Sequence, residues 1–162
     1  MIKSKIPSEA TSDRPIDKLP LNILFACTHN KIRSPMAEAM MKNMYADHIG
    51  LVDSCGMDDG GDIGDGFTIA VMQEIGLNIM DHEPKSFADI SQSHFDMVIC
   101  FSEASYEDAS RMMSLAGASI EYWPVYDMAL IAEGREARLN AYRNVRDDIK
   151  TMLNDRFKGL NA

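Results

Sequence analysis

The hydrophobic pattern changes period several times along the chain. Leu21 to Ala26 is short and almost continuously apolar, the mark of a strand buried on both faces. Ser34 to Met44 brings Met36, Met40 and Met44 to one face at helical spacing. Leu51 to Cys55 is a second short strand, followed by GMDDGGDIGDG, whose glycines and aspartates predict loop. Phe67 to Ile75 predicts a helix ended by Gly76. FDMVICF, from Phe95 to Phe101, predicts another buried strand, and Ser105 to Leu115 a helix stopped near Gly117. Ser119 to Trp123 is the last strand, closed by Pro124. Glu133 to Phe157 then runs as a long amphipathic helix with Leu139, Tyr142, Ile149, Met152 and Leu153 facing inward. Alternating strands and helices predict an α/β fold, an open parallel sheet covered on both faces. Ligands of such sheets sit beyond the carboxyl ends of the strands, and Cys27 falls at the carboxyl end of the first.

Residues 1–19 break this pattern. They are polar, contain Pro7 and Pro15, abut Pro20 and lack periodicity, which predicts a flexible N-terminal arm ahead of one domain over residues 20–162. Composition narrows the class of function. The net charge of -9 argues against a sequence-independent grip on nucleic acid, which needs a basic face. No apolar run approaches the ~20 residues of a membrane span. Lys3 and Lys5 are followed by no apolar signal core, so no export signal is visible. Three cysteines without close pairing do not make a disulfide framework, which fits a reducing, cytoplasmic setting. Cys27, Cys55 and Cys100 are far apart and the four histidines form no local pair, so metal-site spacing is absent. The acidic loop after Cys55 lacks the closing glutamate and flanking helices of a calcium loop.

The chemistry concentrates in Cys27-Thr28-His29-Asn30-Lys31-Ile32-Arg33-Ser34, where a buried strand passes into a helix. Successive backbone N–H groups in such a turn can face one concavity and bind an anion. The helix start adds free N–H groups and its positive dipole end. Arg33 supplies a planar fork that matches two oxygens of a phosphate-like ion. These features favour negative charge at one spot, including a Cys27 thiolate. Ser34 either donates to that sulfur or caps the helix. Asn30 tolerates positive φ and can brace the turn. Lys31 has no required part, and His29 is as suited to solvent as to substrate. The alternative is a Cys27 that merely packs as a small hydrophobe and an Arg33 that is a surface charge.

These residues resemble the low-molecular-weight protein tyrosine phosphatases and the arsenate reductases that share their fold. The likeness rests on ILFACTHNKIRSPMAEAM and continues through DSCG, AVMQEIGL, FDMVICFSE and EYWPVYDM. It implies a three-layer α/β sandwich with a four-stranded parallel sheet, no metal or organic cofactor, and a phosphorylated protein or small phosphomonoester as partner. It makes Cys27 the nucleophile, Arg33 the phosphate clamp, and Thr28, His29, Asn30, Lys31, Ile32 and Ser34 the rest of the phosphate loop. It places the general acid at Asp127 in WPVYDMAL, and Asp127 also follows a strand at its carboxyl end, as Cys27 does.

Three differences bear on substrate, and one more bears on the rigidity of the acid's loop. Met128 stands where the family usually has proline. Met128, Ala129 and Leu130 also replace the aromatic wall common after the acid, leaving Tyr126 or Trp123 as substitutes, although Trp123 at its strand end reads first as core. Ile32 occupies the place of a second, protective cysteine. Finally, CTHN is similar to the loop start of some arsenate reductases. Ser102 occupies the place of their resolving cysteine, and Cys100 reads as core. The resemblance thus implies a cysteine-dependent phosphatase. The alternatives are an arsenate reductase drawing on an external thiol such as glutathione, and a catalytically silent phosphate-binding module.

Overall fold

The computed structural model describes residues 16, 19–58, 64–90, 95–113, 117–126 and 132–161. Most of the N-terminal arm lies outside them, and so do Asp127, Met128, Ala129, Leu130, His94 and Leu115. Four strands form one parallel sheet: β1 (Leu21–Cys27), β2 (Ile49–Gly56), β3 (Met97–Cys100) and β4 (Ser119–Tyr122), in the order β2-β1-β3-β4. Four α-helices connect and follow them: α1 (Arg33–Met44), α2 (Gly66–Gln73), α3 (Glu103–Met112) and α4 (Arg135–Phe157). The three-layer arrangement expected from the pattern is therefore observed.

β1 is central, which explains its unbroken apolar run. Ile23 and Phe25 join one core cluster with Met36 and Met40 of α1, Val71 and Met72 of α2, and Tyr142, Ile149 and Leu153 of α4. Leu24 and Ala26 point the other way, into a smaller cluster with Val98, Cys100, and Ala109 of α3. Phe25 stacks on Phe101 with centroids 6.1 Å apart. Burial of each such side chain contributes about 2 kcal/mol against the cost of ordering the chain.

Local chemistry moves several boundaries from those expected. α3 starts two residues early because Ser102 caps it, accepting from the Ser105 N–H at 3.2 Å. α4 starts at Arg135 because Gly134, at φ 85, cannot continue a helix backward. α2 starts at Gly66, where Asp65 caps the Thr68 N–H at 3.0 Å and accepts from the Tyr142 hydroxyl at 2.8 Å. Asp65 of the glycine-rich loop is thus a helix cap tied to α4. A buried clasp closes the far edge of the sheet: Arg156 of α4 grips Glu121 of β4 with Nη2–Oε2 at 3.0 Å, and Trp123 Nε1 donates to the same carboxylate at 3.0 Å. No helix among the described residues is long and apolar enough to cross a membrane.

Candidate active site

The loop between β1 and α1 is built around one residue. Asn30 sits at φ 56, the left-handed region that asparagine tolerates better than most residues, and it is fully buried. Its side-chain amide donates to Ser34 Oγ and to Ser54 Oγ, each at 2.9 Å. Its Oδ1 accepts the Lys85 N–H at 3.0 Å, and its carbonyl lies 2.9 Å from His82 Nε2. Ser54, near the end of β2, donates a hydrogen bond from its hydroxyl to Glu38 Oε1 at 2.7 Å. One side chain therefore fastens the loop to β2, to α1 and to the segment entering Ser86.

Cys27 is buried at the carboxyl end of β1, with Sγ 3.0 Å from Ser34 Oγ. Ser34 Oγ accepts from Asn30, and its own proton faces two acceptors, the Cys27 sulfur at 3.0 Å and the Cys55 carbonyl at 3.4 Å. Ser34 does not cap α1: the cap position is Ile32, and no side chain occupies the orphan N–H groups there. The first turn also holds no acidic residue, so the positive end of α1 is left facing the loop.

Arg33 is no surface charge. It is 8% exposed, and Nη1 donates to the Val125 carbonyl at 2.8 Å and the Phe101 carbonyl at 3.3 Å. Nη2 donates to Thr28 Oγ1 at 3.3 Å. The two protons of Nη1 are committed to carbonyls, which turns the Nε/Nη2 edge, the bidentate fork, into the part that carries the remaining donors. The carbonyls that hold it belong to the segments leaving β3 and β4, and the latter runs on towards Asp127.

The other loop positions differ in kind. The Thr28 carbonyl accepts the Met57 N–H at 2.8 Å. His29 is exposed at the rim, with Nδ1 2.9 Å from Asp58 Oδ1. Lys31 and Ile32 are half-buried, and Ile32 packs against the larger core. Gly56 lies under the loop, where a Cβ would come within 2.8 Å of backbone atoms of Thr28, His29 and Asn30. Only glycine allows that approach.

The remaining thiols face away from this chemistry. Cys55 and Cys100 flank Ala26 in register and belong to the smaller core cluster on the other face of the sheet from Cys27. Burial pushes both thiols far up, away from the reactive thiolate form. Ser102 is engaged as the cap of α3. Trp123 is fully buried, which removes it as an aromatic wall, whereas Tyr126 is 77% exposed directly before Asp127. Among the described residues no group of three His, Cys, Asp or Glu side chains is placed to hold a metal ion.

Four participants were not foreseen: Glu38, Ser54, Gly56 and His82. Glu38 lies one helical turn beyond Ser34, a spacing visible in the sequence. His82, expected as an ordinary surface or core residue, sits in a segment without periodicity that carries no signal of its bond to Asn30.

A family model described as low molecular weight phosphotyrosine protein phosphatase matches residues 22–162. No curated protein matches the chain. Among solved structures, the YwlE arginine phosphatase from Geobacillus stearothermophilus superposes with a TM-score of 0.72 at 20% identity, covering 88% of this chain and 94% of that one. A low molecular weight protein tyrosine phosphatase from T. tengcongensis gives 0.69 at 20% identity, over 86% and 99%. An arsenate reductase in the phosphate-binding state gives 0.65 at 22% identity, over 86% and 98%. At these identities the structural likenesses speak to the fold.

Proposed function

Because the chain belongs to the low molecular weight phosphotyrosine protein phosphatase family, we propose that it hydrolyses phosphomonoesters, phosphotyrosine in a protein foremost, through a phosphocysteine intermediate. In this reading the loop N–H groups and the Arg33 fork bind the phosphate dianion. The Cys27 thiolate attacks phosphorus in line, forming the S–P bond as the P–O bond to the leaving group breaks. Asp127 gives its proton to the departing oxygen. Asp127, now a carboxylate, takes a proton from water as that water attacks phosphorus. The S–P bond breaks, inorganic phosphate leaves and the thiolate returns. Loop amides and guanidinium stabilise the equatorial oxygens throughout.

The observation that carries this reading is the convergence at one loop of Cys27 Sγ, 3.0 Å from Ser34 Oγ, and a buried Arg33 held by carbonyls with its fork edge remaining. A binding module needs neither an activated thiol nor an acid. An internal thiol relay finds no support in the positions of Cys55 and Cys100. The exposed Tyr126 beside Asp127 is a candidate wall for a phenyl ring.

The test is turnover of p-nitrophenyl phosphate and of a phosphotyrosine peptide, with phosphoarginine and arsenate as competing substrates. The reading expects turnover to be abolished in Cys27→Ser and slowed on the order of 100-fold in Asp127→Asn. Preferred cleavage of phosphoarginine, or thiol-dependent formation of arsenite in its place, overturns the phosphotyrosine assignment. Wild-type activity in Cys27→Ser overturns the mechanism.

A further inference from the structure

We propose that Lys31 selects the substrate: its ammonium pairs with a carboxylate beside the phosphate ester, so that the site prefers phosphotyrosine with acidic neighbours over phosphotyrosine with neutral or basic ones. This deepens the phosphatase reading above and rests on it.

Lys31 is the cation of the loop that is left without an acceptor. Nη1 of Arg33 is held by the Phe101 and Val125 carbonyls. His29 faces a carboxylate already, with Nδ1 2.9 Å from Asp58 Oδ1. Behind the loop, Lys42 pairs with Glu38 and Lys85 with Asp53, each at 2.8 Å. Among the described residues Lys31 enters no hydrogen bond or ion pair. Yet it is half-buried. Withdrawing a lysine from water without a counter-charge costs free energy, and an anion that arrives with the substrate offsets it.

The position of Lys31 is fixed from both sides. Asn30 before it is buried, held at φ 56 and bonded to Ser34, Ser54 and the Lys85 N–H. Ile32 after it packs against the larger core and is the N-cap of α1. The backbone of residue 31 therefore belongs to the turn that wraps the phosphate. A lysine's four-carbon stem carries its ammonium up to about 6 Å from Cα. That radius takes in the bound phosphate and the groups next to its ester bond. The phosphate oxygens are met by loop N–H groups and the Arg33 fork, so the Lys31 charge is left for what the substrate carries outside the cradle. The chain as a whole has a net charge of -9 and repels an acidic partner. One uncompensated cation at the phosphate loop thus decides where an acidic segment can sit, and it repels a basic one.

The probes are three peptides that share one phosphotyrosine and carry Asp, Ala or Lys on both sides of it. The leaving group is the same in all three, so differences report contacts beyond the ester. kcat and KM are measured at low salt for wild type, Lys31→Met and Lys31→Arg. In wild type, kcat/KM on the Asp peptide is expected to exceed that on the Ala peptide by about fivefold or more, with the difference carried by KM and the Lys peptide lower again. Lys31→Met is expected to bring the three within about twofold of one another. Lys31→Arg keeps the charge and is expected to keep the wild-type order. Equal kcat/KM on the three peptides in wild type overturns the proposal. So does a preference that survives intact in Lys31→Met, which would make Lys31 part of the grip on phosphate alone. If wild type turns over none of the peptides, the phosphatase reading falls by itself, and calorimetric Kd values for the same unreacted peptides decide the role of Lys31. An order of Asp, Ala, Lys that Lys31→Met erases then upholds it, and any other result overturns it.

Discussion

Replacing Asn30 by alanine removes the residue on which the loop is hung, and the loss can be worked from its contacts. Alanine deletes two donated bonds, to Ser34 and Ser54, and one accepted from the Lys85 N–H. Each neutral bond contributes about 1 kcal/mol net, and a buried group left without a partner costs about 1–3 kcal/mol. Holding alanine at φ 56 costs about 1 kcal/mol more. Because these losses share partners they do not simply add, and about 3–5 kcal/mol of stability is expected to go. That is a large share of a typical domain's stability of about 5–15 kcal/mol. Asn30→Gly separates the causes: it removes the same bonds but accepts the backbone angle, and recovers about 1 kcal/mol. Urea unfolding followed by circular dichroism measures both variants. A loss below about 1 kcal/mol in Asn30→Ala, or no advantage of glycine over alanine, contradicts the reasoning.

Other expected outcomes follow from single contacts. Gly56→Ala thrusts a Cβ to within 2.8 Å of three loop backbone atoms, so it is expected to cost about 1–3 kcal/mol in urea unfolding and to lower kcat with it; a silent variant contradicts the close approach. Arg33→Lys keeps the charge but loses the fork, and turnover of p-nitrophenyl phosphate is expected to fall on the order of 100-fold; near-normal kinetics contradict the clamp. Hydrogen bonds from Arg143, then from Arg146, hold the Glu74 carboxyl down at about 2, below its usual value of 4.5. Its stabilising contribution is therefore present above pH 4.5 and lost as pH falls from there towards 2. Thermal melts of Glu74→Gln should decline less steeply than wild type across that range, and parallel declines refute the linkage.

The sequence disclosed what periodicity and adjacency can carry. β1 was legible because a strand buried on both faces has no polar alternation to hide it. Cys27 to Ser34 was legible because the group that would bind an anion and the group that would attack it lie within one turn of chain. Asn30 was legible as a brace, since few residues accept φ 56. Ser54 and His82 reach the loop from β2 and from an irregular segment, across 24 and 52 positions, and Glu38 reaches Ser54 across 16; contacts this long leave no local pattern. Ser54 is polar and fully buried in a strand, and its reason is visible only when Asn30 and Glu38 are in place around it. Gly56 read as one more glycine of a loop, although it is the surface against which the phosphate loop lies. Trp123, weighed as a substitute wall for substrate and read at its strand end as core, is held in the core by packing against Phe101 and Phe157.

The direct test is a crystal structure of the protein with bound phosphate or vanadate. The account predicts the ion cradled by the N–H groups of residues 28–33, two of its oxygens about 2.9 Å from Arg33 Nε and Nη2, and its central atom in line with Cys27 Sγ. An ion bound elsewhere, with the Arg33 fork turned from it and Cys27 Sγ out of line, contradicts the account.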